Sequence, residues 1–335
     1  MTIKEVVLTS ERQRIASFLK EQGLNYEDNV DQTIYMEDEN GIVATLSADK
    51  YILKCLAVKR DVRGENLAVT LVSEMIKRLH ALGIYYYQVF TKPEYGAVFK
   101  SLGFRVILET EKFAFLEGGE GDIDACIQKM KVQMKYSLGI ESVSADCDIA
   151  GVVINGNPFT TGHLKLVEYA AARHSFVLVF VVEEDGSYFT FKERYAMAYL
   201  ALKPLKNVLV LPSSEYIVSK STFPGYFLKS VDETTEQYAK CDALIFEKYF
   251  MPGLGICRRY IGEETQEYML IYNDTLKSVL KDRLEIVKRF EEGGEVISAG
   301  KVRSLIKEGK TDKALEYIPR SNHSLLKGIM QGKNE

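Results

Sequence analysis

Residues 155–163 read Asn-Gly-Asn-Pro-Phe-Thr-Thr-Gly-His and combine a turn with groups that can bind phosphate. Pro158 stiffens the turn, and Gly162 allows the backbone to approach a ligand closely. His163 falls on the first turn of the helix predicted to follow, where free amide groups and the helix dipole attract an anion. The pattern predicts a phosphate-binding turn, although a histidine at a helix start is more often a cap or a surface residue.

A second candidate phosphate site lies near the far end of the chain, where Ile297–Arg303 reads Ile-Ser-Ala-Gly-Lys-Val-Arg. Ser298 is predicted to cap a helix whose amides, together with Lys301 and Arg303, face an anion. For Lys301, a solvated side chain is an equal alternative.

The two strings together resemble the nucleotidyltransferase superfamily, which pairs a (His/Thr)-x-Gly-His signature with an Ile-Ser-x-x-x-x-Arg signature. The resemblance implies that Thr160 and His163 contact the α and β phosphates of ATP. It implies that Ser298 and Arg303 hold the β and γ phosphates, which leave as pyrophosphate. His163, Thr160 and Arg303 are the expected catalytic residues.

The elements around these strings predict a doubly wound, Rossmann-like domain. Apolar strand-like runs at Ile149–Ile154, Phe176–Val182 and Val208–Leu211 alternate with helical stretches at His163–Arg173 and Phe191–Lys203. This alternation is typical of a parallel sheet with crossover helices. Ligands of such sheets bind beyond the carboxyl ends of the strands, and the first string follows the first strand.

The amino-terminal third predicts a different, α+β domain. After the strand-like run Leu53–Val58, the string Arg-Gly-Glu-Asn-Leu-Ala opens a helix with one apolar face. With Thr91–Phe104, this order resembles the GNAT acetyltransferases, in which such a loop binds the coenzyme A pyrophosphate. The resemblance implies a loop made of Arg63, Gly64, Asn66 and Ala68. The usual pattern has Gly where Asn66 stands, and a scaffold without transfer activity is the alternative.

The expected domain boundaries follow from these two patterns. Residues 1–118 form the GNAT-like domain, 119–146 a linker with a connecting helix, and 147–335 the nucleotidyltransferase domain. The glycine- and acid-rich residues Glu117–Asp122 are the predicted linker sequence.

Three further strings resemble the citrate lyase ligase family: Ser214–Lys229, Cys241–Glu264 and Tyr272–Lys277. The resemblance implies ATP-dependent acetylation of the citrate lyase acyl carrier subunit through acetyl adenylate, releasing AMP and pyrophosphate. It implies Mg²⁺ as cofactor, acetate as substrate, and a dephospho-coenzyme A-derived thiol as acceptor. The chain departs from the family at Gly300, where Ser is common, and at Gly262–Thr265, where Gly-Thr-Glu-Pro is common.

Several polar residues are weaker candidates. Asn155 and Asn157 are expected either to orient ATP or acetate or only to bond their own turn. Glu264 is a candidate to carry Mg²⁺ through water, although the protein ligands of a metal are not predicted. The candidates for contact with substrate or carrier are Ser219, Lys220, Thr222, Arg258 and Arg259.

Composition narrows the function classes. The chain has 335 residues, and 43 basic against 47 acidic side chains give a net charge of −4, so no global basic surface indicates nucleic acid or an anionic membrane. We expect a cytoplasmic protein. The five cysteines are scattered and never spaced as Cys-x-x-Cys, which argues against disulfides and zinc and favours burial of each. His174 and His323 are expected to be surface residues.

Other functions stay open at this point. A phosphopantetheine or mononucleotide adenylyltransferase would share both phosphate-binding strings. A GNAT enzyme that uses acetyl-coenzyme A, with the larger domain regulatory, is a second alternative, and a carrier-binding protein without turnover is a third.

Overall fold

The computed structural model describes residues 2–27, 29–62, 66–143, 148–184, 186–219, 222–264, 266–292 and 295–334. The chain forms two compact units, Met1–Asp122 with Phe223–Gln237 and Ile123–Thr222 with Tyr238–Glu335. The predicted fold class is confirmed, because an α+β unit precedes a unit built on a parallel sheet.

The first unit is an α+β sandwich of one mixed sheet and three helices among the described residues. Its elements are β1 (Ile3–Glu5), α1 (Thr9–Glu21), β2 (Gln32–Asp38), β3 (Gly41–Asp49), β4 (Ile52–Val58), α2 (Leu67–Ala81), β5 (Tyr86–Thr91), α3 (Gly96–Ser101), β6 (Arg105–Glu109) and β7 (Ala114–Gly119). The strand order is β1-β2-β3-β4-β5-β7-β6. Only β4 and β5 run parallel, and they pair solely at Ile52–Gln88 and Leu53–Val89 in the described residues.

The glycine- and acid-rich residues predicted as a linker begin inside the last strand of this sheet. Glu117, Gly118 and Gly119 pair with β5. A Cβ at Gly118 would lie 2.8 Å from the Phe104 ring, and Gly119 has φ +69°. The glycines therefore serve close packing and a left-handed turn rather than a flexible connection.

Residues 223–237 belong to the first unit although they come from the middle of the chain. The Phe223 ring packs edge-on against Phe90, with ring centroids 5.3 Å apart. The Tyr226 hydroxyl donates to the Phe90 carbonyl at 2.8 Å. The predicted domain boundaries at residues 118 and 147 stay a proposal. They divide the chain in linear order and so assign this segment to the second domain.

The second unit carries the parallel sheet. Its strands are β8 (Ile149–Ile154), β9 (Phe176–Val181), β10 (Val208–Pro212), β11 (Ile256–Gly262) and β12 (Leu284–Val287), with a short hairpin of β13 (Glu291–Glu292) and β14 (Glu295–Val296). Its helices are α4 (Ile123–Leu138), α5 (Thr161–Ala171), α6 (Phe191–Leu202), the second part of α7 (Val231–Ile245), α8 (Met251–Leu254), α9 (Glu267–Leu280), α10 (Ala299–Lys307), α11 (Thr311–Leu315) and α12 (His323–Asn334).

The sheet order is β10-β9-β8-β11-β12, with every pair parallel. The chain runs outward from β8 to β10 and then returns to the other side of β8 with β11. The carboxyl ends of β8 and β11 therefore flank the point where the strand order reverses, which is where such sheets bind ligands. Within the described residues, every helix is too short or too polar to cross a lipid bilayer.

Candidate active site

The turn after β8 is held by its own polar groups and by α6. The Asn157 side-chain oxygen accepts from the Phe189 amide at 3.1 Å. The exposed Asn155 side chain accepts from the Ser187 hydroxyl at 3.4 Å. The Asn157 side chain thus ties the turn to the segment before α6, whereas the Asn155 side chain faces solvent.

Helix α5 begins directly after this turn with a reciprocal cap. The buried Thr160 hydroxyl accepts from the His163 amide at 3.4 Å, and the Thr160 amide donates to His163 Nδ1 at 3.0 Å. Because Nδ1 is an acceptor here, we assign the hydrogen of the neutral ring to Nε2. Burial lowers the pKa of His163 to about 4, so the imidazole stays neutral at physiological pH. The ring can therefore donate one hydrogen bond through Nε2 without carrying a charge.

Helix α10 repeats this kind of start. The Ser298 hydroxyl accepts from the Lys301 amide at 3.1 Å, as its position before the helix predicts. Lys301 lies over the Tyr317 ring, and its ammonium donates to the Tyr317 hydroxyl at 2.9 Å. The lysine is held against an aromatic ring rather than fully solvated.

The two strings that are predicted to bind phosphate meet in the fold. The Arg303 guanidinium donates to the Asn157 carbonyl in the turn after β8. A Cβ added at Gly162 would lie 3.4 Å from Ile297, so the two helix starts pack closely and position 162 has little spare room. Phe159 and Ile297 belong to one hydrophobic core. The arrangement presents two capped helix starts, a neutral imidazole and a guanidinium to one region of the sheet edge.

The other sequence candidates lie in different surroundings. The Ser219 amide donates to the Thr222 hydroxyl at 2.7 Å in a local turn, and Lys220 lies outside the described residues. Arg258 pairs with Glu285 at 3.1 Å. Arg259, predicted as a contact for substrate or carrier, is fully buried.

A buried network accounts for the position of Arg259. Its guanidinium pairs with Asp242 at 2.7 Å, and the Tyr272 hydroxyl donates to the same carboxylate at 2.6 Å. Burial and the ring's proximity to Asp242 hold the pKa of Tyr272 well above its ordinary value. This network joins β11 to α7 and α9.

In the first unit, part of the predicted coenzyme A-like loop is described. Asn66 has a left-handed backbone (φ 56°) and precedes α2, while Arg63 and Gly64 lie outside the described residues. A cavity of about 450 Å³ lies beside it and is lined by residues of β4, α2 and α3. Its lining includes Val58, Ala68 and Val98, so the cavity is largely apolar at the start of α2 and along α3.

Arg194 is a residue of this sheet edge that sequence reasoning missed. It is fully buried, and its guanidinium donates to the carbonyls of Asn155, Val182, Glu184 and Phe189 at 2.7–3.1 Å. These carbonyls follow β8 and β9 or precede α6. The available signal was an arginine on the buried stripe of α6, the stripe that also carries Met197, Ala198 and Ala201.

Comparison with known proteins agrees with this organisation. A family model described as the citrate lyase ligase C-terminal domain matches residues 149–326, which is more than half of the chain. The chain belongs to the citrate lyase ligase family. It is therefore a ligase, and the resemblance drawn from its motifs is confirmed.

Curated citrate lyase ligases are similar over nearly the whole chain. The [citrate [pro-3S]-lyase] ligase of Haemophilus influenzae is 29% identical over 93% of this chain and 94% of its own length. The ligase of Klebsiella pneumoniae is 27% identical over 100% of this chain and 99% of its own. The ligase of Escherichia coli is 28% identical over 95% of this chain and 90% of its own.

Solved structures similar to this ligase include GNAT acetyltransferases. A putative N-acetyltransferase from Lactobacillus plantarum is 13% identical and covers 35% of this chain and 97% of its own, with a TM-score of 0.29. A GNAT family N-acetyltransferase from Escherichia coli in complex with CoA is 18% identical and covers 36% of this chain and 82% of its own, with a TM-score of 0.27.

The two positions at which a departure from the family pattern is expected lie near the sheet edge. A Cβ at Gly300 would lie 3.9 Å from both Ser298 Oγ and Arg303 Nη2, so a serine would fit there and its hydroxyl would lie near both groups. At the second departure, the Glu264 carboxylate pairs with Arg289, which also donates to the Glu263 carbonyl at 2.8 Å. The charge of Glu264 is thus already matched by an arginine.

Proposed function

We propose that this ligase uses ATP to acetylate the thiol prosthetic group on the acyl carrier subunit of citrate lyase. The reaction runs through acetyl adenylate and releases AMP and pyrophosphate. The observation that carries the proposal is the meeting of the two phosphate-binding strings at the Arg303–Asn157 contact. Two helix starts and a guanidinium at one sheet edge suit a triphosphate better than a single phosphate.

In the first step, an acetate oxygen attacks the α phosphorus of ATP. The bond from this phosphorus to the bridging oxygen of the β phosphate breaks, and pyrophosphate leaves. The Nε2 hydrogen of His163 donates to a phosphate oxygen on which charge grows, and the Thr160 cap keeps the ring oriented. Ser298 and Arg303 hold the leaving pyrophosphate, and Lys301 adds positive charge beside them.

The asparagines and Gly162 support this geometry in different ways. Asn157 fixes the turn through its side chain, and its carbonyl holds Arg303. Asn155, whose side chain is exposed, is available to orient acetate or ATP. Gly162 permits the close packing of the two helix starts.

Mg²⁺ would supply neutralisation of the triphosphate charge when bound. Mg²⁺ prefers oxygen ligands and often binds through substrate phosphates with few protein carboxylates. Glu264, the carboxylate that the sequence offers, pairs with Arg289. The site therefore fits a Mg²⁺ carried mainly by the nucleotide.

In the second step, the thiol sulfur of the carrier arm attacks the acetyl carbonyl and expels AMP, and the thiol proton is lost. The cavity at Ala68 in the first unit supports a docking role for that unit, because the arm is itself derived from dephospho-coenzyme A. We include Arg63, Gly64 and Asn66 among the residues proposed to contact the docked arm.

The test of the first step is acetate-dependent exchange of labelled pyrophosphate into ATP. Replacing His163 by Ala is expected to lower the exchange rate by about 10² to 10³, the usual cost of removing one transition-state donor. His323→Ala, which removes another imidazole at a helix start of the same unit, is the control and should exchange normally. Normal exchange by His163→Ala would remove His163 from the reaction, and exchange that ignores acetate would contradict the ligase chemistry.

The docking role is tested by filling the cavity. Ala68→Trp is expected to slow acetyl transfer to the carrier while pyrophosphate exchange stays unchanged. Ala81→Trp, at the exposed end of the same helix, is the matched control. Normal transfer by a folded Ala68→Trp protein would reject docking in this cavity. Acetylation from acetyl-coenzyme A without ATP would instead favour a GNAT-type reaction.

A further inference from the structure

A second cluster of chemically capable side chains lies at the opposite edge of the parallel sheet. Asp148 precedes β8, His174 follows α5, and Cys257 lies near the start of β11. One ligand atom from each residue lies within 4.8 Å of the others. Contrary to the sequence expectations, Cys257 is exposed rather than buried, and His174 is a partnered residue with only 10% of its side chain exposed.

The Asp148 carboxylate and the Cys257 thiol both approach the same nitrogen of the His174 imidazole. His174 Nδ1 lies 2.5 Å from Asp148 Oδ1 and 3.8 Å from Cys257 Sγ, and the sulfur lies 4.0 Å from the same carboxylate oxygen. In a catalytic triad, one ring nitrogen of the histidine contacts the nucleophile and the other contacts the carboxylate. Here the other nitrogen, Nε2, is occupied by the Tyr260 hydroxyl at 2.8 Å. One ligand atom of each residue therefore lies close enough to the other two to share a bound ion.

The surrounding contacts orient the three side chains. Asp148 Oδ2 accepts from the Ser175 amide at 2.9 Å, which leaves Oδ1 directed at the histidine. Histidines that bind metals usually bond a partner through the second nitrogen, as His174 does with Tyr260. Among its polar contacts with described residues, the Cys257 thiol has its shortest, 3.3 Å, to the Ile149 carbonyl.

We propose that Asp148, His174 and Cys257 form a binding site for a divalent transition metal of the zinc type. A set of one sulfur, one nitrogen and one oxygen ligand suits Zn²⁺ and Co²⁺ rather than Mg²⁺. Tetrahedral Zn²⁺ places such ligand atoms about 3.3–3.6 Å apart. The sulfur must approach by a few tenths of an ångström and the carboxylate oxygen must withdraw, and both side chains are exposed enough to do so.

Binding balances as an exchange of protons for the metal. The Cys257 thiol loses its proton to solvent, and the neutral His174 ring binds the metal through Nδ1 while its hydrogen on Nε2 is donated to the Tyr260 hydroxyl. The metal links the starts of β8 and β11 to the end of α5. Because the phosphate-binding turn follows the other end of β8, this site is separate from the proposed ATP site.

The test is a cobalt titration of the untagged, full-length protein after chelator dialysis. The wild type is expected to show a saturable thiolate-to-cobalt charge-transfer band in the near ultraviolet, which Zn²⁺ abolishes by competition. Cys257→Ser should lose the band, and Cys126→Ser, the half-buried thiol of α4, should keep it. Tyr260→Phe should weaken binding about 10- to 100-fold, as loss of an outer hydrogen bond does.

Two results would overturn the site. One is the absence of the band in the wild type at millimolar cobalt. The other is an undiminished band in Cys257→Ser, which would assign the thiolate elsewhere. Thermal melts in chelator check that Cys257→Ser is folded, and added Zn²⁺ should raise the Tm of the wild type but not of this variant.

Discussion

Arg194 is the buried cation on which the geometry of the sheet edge depends. Its guanidinium donates to four carbonyls, those of Asn155, Val182, Glu184 and Phe189. The first of these residues begins the phosphate-binding turn. Arg194→Met keeps most of the apolar volume and removes every donor, so the variant isolates the polar contribution.

The expected cost follows from what the variant leaves behind. Each carbonyl that loses a charged donor and stays buried lowers the free energy of unfolding by about 1–3 kcal/mol. Part of this loss is offset because the folded variant no longer has to desolvate a guanidinium. A net loss of about 3–5 kcal/mol is therefore expected, as for removing one partner of a buried ionic network. Arg194→Lys keeps the charge but has three donors for four carbonyls, and should cost about 1–2 kcal/mol.

Thermal unfolding and pyrophosphate exchange measure the two consequences. At about 2–4 °C per kcal/mol for a unit of this size, Arg194→Met should lower the Tm by roughly 10 °C. Exchange at a temperature where the variant is folded should also fall, because the turn loses its anchor. Lys192→Met removes an exposed cation from the same helix and is the control. If Arg194→Met melts no lower than this control, the anchoring role is wrong.

Two further predictions concern the helix starts. Because the pKa of His163 is lowered to about 4 from an ordinary 6.5, the unfolded chain binds a proton that the folded chain refuses as the pH falls through this range. As the pH falls from 6.5 to 4, the free energy of unfolding should therefore decrease, whereas this group should not affect it above pH 6.5. Urea midpoints of the wild type and of His163→Gln across this range measure the difference. If the midpoints of both proteins changed equally with pH, the neutral imidazole would be contradicted. Ser298→Ala should lower the free energy of unfolding by about 0.5–2 kcal/mol through the lost cap and should weaken ATP binding, whereas Ser304→Ala in the same helix should change neither. Calorimetric titration with ATP measures the affinity. An unchanged affinity in Ser298→Ala would mean that Ser298 serves only as a helix cap.

Features that depend on neighbours three or four positions apart were predictable from the amino-acid sequence. Thr160 with His163 and Ser298 with Lys301 are such pairs, and both helix starts lie where the motifs predict. The apolar runs also predict the first three strands of the parallel sheet to within a residue. These features are local, because capping and strand formation are set by backbone geometry over a few residues.

Which distant groups meet became known from the folded chain. Arg303 reaches a carbonyl 146 positions away, Arg194 spans two strand ends, and residues 223–237 complete the core of the other unit. The cluster of Asp148, His174 and Cys257 combines residues up to 109 positions apart. Such contacts follow from the order of strands in the sheets and from side-chain packing, and no short-range spacing in the chain carries that information.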